Sequence, residues 1–453
     1  MRQWGRGIRN TAQLPAPLLL VLSLPWFCAV AGAAGYGTRE FSAIAMGEAY
    51  AGSSATDSDP SFMGYNPAAL DGVRSWDATV GFVAALPTSD AHYSVAQNFA
   101  AVPIGGARDQ HGFVDPAYVP NLAARYRLSE QWTVGLSVIA PWGLSTSYDK
   151  SWAGRYQAVD TKLVTINAAP TIGFQPNDRL SLAVALQVQY ATGKLSNAID
   201  IGTIGQAASV PGAIPTLQDG YGEFRADDLA FGFTLGAIWR PTDDVRLGLS
   251  YRSQIKHRLT GPVDFTLDSA GIGAALQGAG LLKNTHAATD LTTPQTVSLG
   301  ASVDVSPDIT LAGELGWTNW SVFSDLRVEF DNPAQPDDVT PFGWKDSWFG
   351  ALGASYRPSR DWTLRMGAAY DQSPARDSTR NARIPDADRV WLSIGADVAI
   401  TERTSLSFSL AHLFLPRGEV NLSSTDPANL LRGDLVGTTD AEANALAFQL
   451  TFR

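Results

Sequence analysis

The chain has 453 residues, 17% of them charged and 45% hydrophobic, and a formal charge of −11. Charge this sparse, with a mean hydropathy of −0.05, fits neither an ordinary soluble protein nor a bundle of long apolar membrane helices, and the acidic balance argues against a nucleic-acid partner. A transmembrane barrel, in which only alternate residues meet lipid, fits all three values.

In chain order, Arg2, Arg6 and Arg9 precede an apolar stretch, 14–33, that ends in Ala31-Gly32-Ala33. A basic start, an apolar middle and an Ala-x-Ala end predict a secretory signal over 1–33, cut after Ala33. Pro15, Pro17 and Pro25 interrupt the stretch and argue against an uncleaved anchor. The only cysteine, Cys28, lies within it, so the mature chain has no thiol chemistry. Loss of the three arginines takes the charge from −11 to −14.

Residues 34–74 show no strand alternation, yet carry Tyr36, Phe41, Ile44, Met46, Tyr50, Phe62, Met63 and Tyr65. That apolar content predicts a packed plug rather than a tail. The plug closes on Asn66-Pro67-Ala68.

From 75 to 453 the sequence predicts a transmembrane antiparallel β-barrel of about 14 strands. The expected spans are 75–87, 118–128, 131–142, 158–175, 179–195, 223–240, 244–258, 293–305, 308–320, 346–357, 361–371, 388–400, 404–414 and 443–452. Short breaks such as Gln175-Pro176-Asn177-Asp178 and Pro241-Thr242-Asp243-Asp244 take turns with long ones. Tight turns on one side and long loops on the other are what a bilayer imposes. Leu180, Leu182, Val184 and Leu186 alternate with Ser181, Ala183 and Ala185, so the first set should face lipid and the second the lumen. Tyr126, Trp132, Phe174, Trp239, Tyr356 and Trp362 cluster beside the short turns, where an interfacial girdle belongs. Two long loops are apolar, 199–214 and 269–282. They could gather greasy ligands or simply pack on each other.

Pro120 and Pro141 fall near one another on adjacent strands, with Gly143 two residues on. Proline cannot donate to a ladder, so the pair predicts a break in the wall. It would be filled by the plug or used as a side exit.

Little else suggests chemistry. The five histidines are scattered without ligand spacing, and no nucleophile elbow or phosphate loop is present, so neither enzyme, metal nor cofactor is expected. By parity Arg125, Glu314, Arg365 and Asp397 point inward, and Arg365 and Asp397 should form an ion pair. Arg155, beside Trp152 and Tyr156 at the mouth, is a candidate for a ligand carboxylate or for a structural arginine.

These residues resemble a known family, the FadL/TodX-type outer-membrane transporters of long-chain fatty acids and other hydrophobic compounds. Ala34-Gly35-Tyr36, Arg39-Glu40-Phe41-Ser42 and Gly47-Glu48-Ala49-Tyr50-Ala51-Gly52 are similar to its N-terminal hatch, and Asn66-Pro67-Ala68 to its Asn-Pro-Ala motif. Ala140-Pro141-Trp142-Gly143-Leu144-Ser145-Thr146 resembles its kinked third strand. The resemblance implies a ligand pathway along the hatch, with Tyr36 lining the pocket and lateral exit through the kink. It implies passive uptake of a hydrophobic small molecule across a Gram-negative outer membrane. Lipopolysaccharide would be a neighbour, barrel-assembly machinery an assembly partner, and a monomer is expected. Aromatic hydrocarbon uptake and a general porin for polar solutes remain alternatives. The terminal Phe452-Arg453 departs from the usual aromatic end of such barrels.

Overall fold

The computed structural model describes residues 34–453; the expected signal segment lies outside the described residues. Among the described residues, fourteen antiparallel strands close into one barrel. They are β1 (Trp76–Gln97), β2 (Ala117–Arg127), β3 in two pieces (Trp132–Ile139 and Gly143–Ser147), β4 (Asp160–Asn177), β5 (Leu180–Asp200) and β6 (Asp219–Thr242). Next come β7 (Val245–Arg252 and Ile255–Thr266), β8 (Thr285–Thr293 and Thr296–Ser306), β9 (Ile309–Thr318) and β10 (Ser347–Tyr356). The last are β11 (Trp362–Asp371), β12 (Arg389–Thr401), β13 (Thr404–Leu422) and β14 (Asp434–Phe452). Each strand pairs with its neighbours in sequence, and β1 pairs with β14 from Ala78↔Phe452 upward, which removes both edges.

Alternation decides which side chains meet lipid. Val184, Leu186, Phe231, Phe233 and Phe448 face outward, while Ser181, Ala185 and Gln187 are buried inside. Tyr126, Trp132, Trp239, Tyr356 and Trp362 are exposed beside the short turns, and Trp132 lies 4.8 Å from Phe174. Thus one aromatic ring girdles the end with tight turns.

Several strands run further than their apolar pattern suggests. β1 continues to Gln97, β13 to Leu422, and β14 begins at Asp434, within stretches expected as loops. Above the bilayer the outward face need not be apolar, so the strand persists where its hydrophobic signal stops. The two apolar loops form short helices, α1 (Ile201–Ala207) and α2 (Ile272–Gly278), which pack together through Ile201, Ile272 and Leu276.

Residues 34–74 fold inside the barrel. Their buried Ala43, Met46, Tyr50, Phe62 and Leu70 form one core with inward-facing Trp391, Ala411 and Ala445. Asn66 caps a short 3-10 turn, Pro67–Gly72, by accepting from Ala68 N at 2.9 Å. Its amide nitrogen donates to the carbonyls of Ser54 (2.6 Å), Ala237 (3.1 Å) and Leu249 (3.3 Å), so one side chain ties the segment to β6 and β7.

Candidate functional site

The ladder between β2 and β3 stops at Leu122↔Val138. Above it, among the described residues, Pro120 pairs only with Phe82 of β1. On the other side Ala140, Pro141 and Trp142 interrupt β3. Gly143 restarts the pairing with β4, opposite Val164. Trp142 remains attached to β4, donating its N–H to Thr165 Oγ1 (3.0 Å) and accepting from Thr165 N (3.0 Å). The wall therefore opens on the β2 side alone. Asn121, beside the opening, is buried, and neither of its amide atoms has a hydrogen-bond partner among the described residues.

Residues 36–38 cover this opening from inside. Gly143 N donates to Tyr36 O at 2.7 Å, Thr38 N donates to Pro141 O at 3.0 Å, and the Thr38 hydroxyl donates to Ala140 O. Exposed backbone at lipid depth is costly unless protein covers it, and these three bonds provide the cover. Tyr36 is held by an aromatic cage: Trp320 at 4.6 Å, Phe323 at 5.4 Å, Trp344 at 5.6 Å and Trp142 at 6.1 Å between ring centroids. Its hydroxyl donates to Thr292 O at 3.1 Å. Phe41 lies deeper, 5.3 Å from the Tyr65 ring. The sequence pointed to Tyr36 but held no sign of the loop aromatics that enclose it.

Two cavities share Arg383 in their walls, and one of them reaches Gly143 at the opening. The outer one, of about 380 Å³, is bordered by Ile204 of α1, and its walls include Leu195, Ile199, Phe224, Phe265 and Leu282. The second, of about 100 Å³, runs beside Gly143, Leu144, Ile384 and Leu413. Arg383 borders both. It is 3% exposed. Its guanidinium donates to Asn197 Oδ1 (2.9 Å), Thr161 Oγ1 (3.4 Å) and Ser196 O (3.5 Å), and among the described residues it forms no ion pair. Burial pushes its pKa down to about 10, so it stays cationic at neutral pH. A further cavity of about 80 Å³, lined by Thr38, Arg39, Pro141, Trp142 and Arg252, lies on the lumen side of the kink.

Arg155 occupies a different position. It is 6% exposed, and it donates to Asp219 (2.6 Å), Gly105 O (2.6 Å), Trp152 O (3.2 Å) and the Tyr156 hydroxyl (3.1 Å). Its donors are spent on holding outer loops together, which is the structural alternative for this residue. Arg383 stands in a comparable apolar setting, but borders cavity space on two sides. Its sequence trace was a single arginine between Ala382 and Ile384-Pro385 in a stretch read merely as loop.

The lumen charges fasten the N-terminal segment. Arg365 donates to Asp397 at 2.6 Å and also reaches Glu48. Arg125 makes two bonds to Asp77, at 2.7 and 2.8 Å, and one to Asp57 O at 2.8 Å. Glu314 accepts from Ser54 N at 3.2 Å. Among the described residues no group of His, Cys, Asp or Glu could hold a metal ion.

A closed barrel with lipid-facing strands, an occupied lumen and an apolar antechamber defines an outer-membrane transport protein. The chain matches the family described as "Outer membrane protein transport protein (OMPP1/FadL/TodX)" over residues 26–453, and it belongs to that family. It is 27% identical over 399 residues to the long-chain fatty acid transport protein of Escherichia coli O6:H1, covering 84% of this chain and 87% of the relative. The solved structure of a Pseudomonas aeruginosa FadL homologue superposes with a TM-score of 0.85 at 25% identity, covering 92% and 99% of the two chains. The Pseudomonas putida toluene transporter TodX shares the fold, with a TM-score of 0.68 at 16% identity and 93% and 99% coverage. The protein therefore resides in the outer membrane, as a β-barrel.

Proposed function

We propose that the protein takes up long-chain fatty acids by passive diffusion, with lateral exit through the opening between β2 and β3. The observation that carries the carboxylate is Arg383, a buried cation without an ion-pair partner among the described residues, placed between the outer cavity and the cavity at the opening. An apolar cavity walled by Ile199, Phe224 and Phe265 accepts the alkyl chain, and Arg383 receives the head group. The relative named above as a long-chain fatty acid transport protein supports the same substrate class.

Magnitudes favour a ligand-driven opening. Residues 36–38 hold the kink by two backbone hydrogen bonds and one from a hydroxyl, each with a net value of about 1 kcal/mol. Each methylene withdrawn from water contributes about 0.8 kcal/mol. A few methylenes bound more favourably with the segment displaced therefore offset its release. Residues 34–74 act as the hatch, and the route needs no cofactor or catalytic group. The barrel works as a monomer among lipopolysaccharide, delivered by barrel-assembly machinery.

Aromatic hydrocarbon uptake is the second reading, supported by the apolar cavity walls, but it gives Arg383 no role. Uptake of labelled oleate and toluene by cells lacking their own transporter separates the two. Arg383→Met should reduce oleate uptake by about tenfold or more, the value of one charge-assisted contact, and leave toluene unchanged. Equal entry of small sugars into wild-type cells, without oleate, would replace this reading by a general porin.

A further inference from the structure

A polar cavity of about 140 Å³ lies among the outer loops, at the end of the barrel opposite the tight turns. Its walls come from stretches far apart in sequence: Gln157, residues 340–341, residues 378–381 between β11 and β12, and residues 421–429 from the end of β13 onward. Eight of its eleven lining residues carry an amide or a hydroxyl, and Asp426 alone is charged. It therefore differs in kind from the two cavities that Arg383 borders. The fold leaves hydrogen-bonding capacity unused on this wall. Asn429 is 4% exposed, and its side-chain amide has no partner among the described residues. Its backbone is fully engaged: the N–H donates to Asp426 O at 2.9 Å, and the carbonyl accepts from Arg432 N (3.0 Å) and Gly433 N (2.7 Å). Asp426, not Asn429, caps the short 3-10 turn Pro427–Asn429. Gln157, also 4% exposed, donates Nε2 to Gly433 O at 3.1 Å, while its Oε1 has no partner among the described residues. Asn381 spends one side-chain N–H on Thr379 O at 3.4 Å and keeps the other. Buried amide groups left without partners are costly, so this wall suits an occupant that pairs with them.

We infer that this cavity binds one neutral sugar ring at the cell surface, held by Asn429, Gln157 and Asn381. The lining decides the chemical class. A phosphate or a carboxylate would meet no cation there, only the carboxylate of Asp426. An alkyl chain would leave the amides of Asn429 and Gln157 unpaired. A sugar hydroxyl both donates and accepts, so neighbouring hydroxyls of one ring can answer an amide, a lone carbonyl oxygen and a spare N–H together. Leu422, 7% exposed, and Pro341 give the C–H face of the ring an apolar side. The space is well below the ~300 Å³ at which pockets for larger ligands begin, so one ring enters and any attached chain continues outward. Two sources offer such a ring, the core oligosaccharide of lipopolysaccharide and a free sugar. The inference does not rest on what passes through the barrel.

The test uses the full protein in detergent, purified from cells whose lipopolysaccharide lacks its core, so that the site is free. The probes are dephosphorylated core oligosaccharide and the methyl glycosides of glucose, galactose and N-acetylglucosamine. Saturation-transfer NMR titrations should show ring protons of the oligosaccharide in contact with the protein. Asn429→Leu should weaken that binding by about fivefold or more, the value of one neutral hydrogen bond. Should Asn429→Leu fail to assemble, Gln157→Met, which keeps the side-chain length, should weaken it in the same way. Transfer to the oligosaccharide supports the inference with lipopolysaccharide as the source. Transfer to a methyl glycoside alone supports it with a free sugar as the source. No transfer to any probe, or equal affinity in wild type and in the assembled variants, overturns it.

Discussion

Gly143 donates its backbone N–H to the carbonyl oxygen of Tyr36 at 2.7 Å. A residue of the barrel wall thereby spends a ladder bond on the N-terminal segment instead of the neighbouring strand. The arrangement couples two things usually separate in a barrel, closure of the wall and position of the plug. Anything that draws Tyr36 from its cage of Trp320, Phe323 and Trp344 also releases the wall.

Healing the wall should stop transport without harming assembly. Pro141→Val with Gly143→Val restores a donor at 141 and strand propensity at both positions. Oleate uptake should fall by tenfold or more, on the order of one lost binding contact, while the heat-modifiable band on gels stays normal. Unchanged uptake by a normally inserted double variant would show that the ligand leaves elsewhere.

Gly236 tests the docking of Asn66. A Cβ at 236 would lie 2.0 Å from Asn66 Oδ1 and 2.8 Å from Pro67, so Gly236→Ala must push the segment from its seat on β6. The expected result is leakage of small polar antibiotics into cells. Gly350→Ala is the control, since among the described residues nothing lies within 4 Å of where its methyl would sit, and it should be silent. Equal behaviour of the two variants would remove Asn66 as an anchor.

Arg365 joins Asp397 on the wall to Glu48 on the N-terminal segment. Arg365→Met leaves two carboxylates facing each other in a largely enclosed site, a loss of about 3 kcal/mol. The barrel should unfold at a lower urea concentration, and residues 43–52 should gain hydrogen exchange before the strands do. A stability change with no local exchange would assign the pair to the wall alone.

Loss of Arg155 should loosen loops without altering substrate choice. Its removal leaves Asp219 with the Tyr156 hydroxyl alone and frees the carbonyl of Gly105. Arg155→Met should therefore make residues 100–110 and 208–219 susceptible to protease, with the oleate-to-toluene uptake ratio retained. A change confined to that ratio would instead give Arg155 the head-group role.

The pH dependence of carboxylate capture follows from Arg383, whose pKa burial lowers to about 10. The unfolded arginine keeps its proton well beyond that pH, so between the two values the folded state binds fewer protons. Unliganded stability from this group therefore rises as pH increases through about 10, while the attraction for a carboxylate is lost. Oleate binding by the purified protein should be level from neutral pH and fall above about 10, and Arg383→Met should abolish that fall.

The sequence by itself determined the barrel, because its signals are local. Period-two alternation, the short-long parity of turns and aromatics beside tight turns each act within a strand or one connection, and the bilayer forces all three. Even the wall opening was legible, since Pro120 and Pro141 remove donors wherever the chain places them. The tertiary structure alone decided what faces the opening. Arg383 lies against Thr161, Ser196 and Asn197, more than 180 residues earlier in the chain. Glu48 meets Arg365 across a separation of 317 residues. No local pattern records such meetings; they arise when the barrel closes and outer loops fold into its mouth. The same holds for Arg155 and Arg383, two arginines in apolar loop settings. Only the partners that closure brings within hydrogen-bond reach distinguish the one that staples loops from the one left facing the cavities.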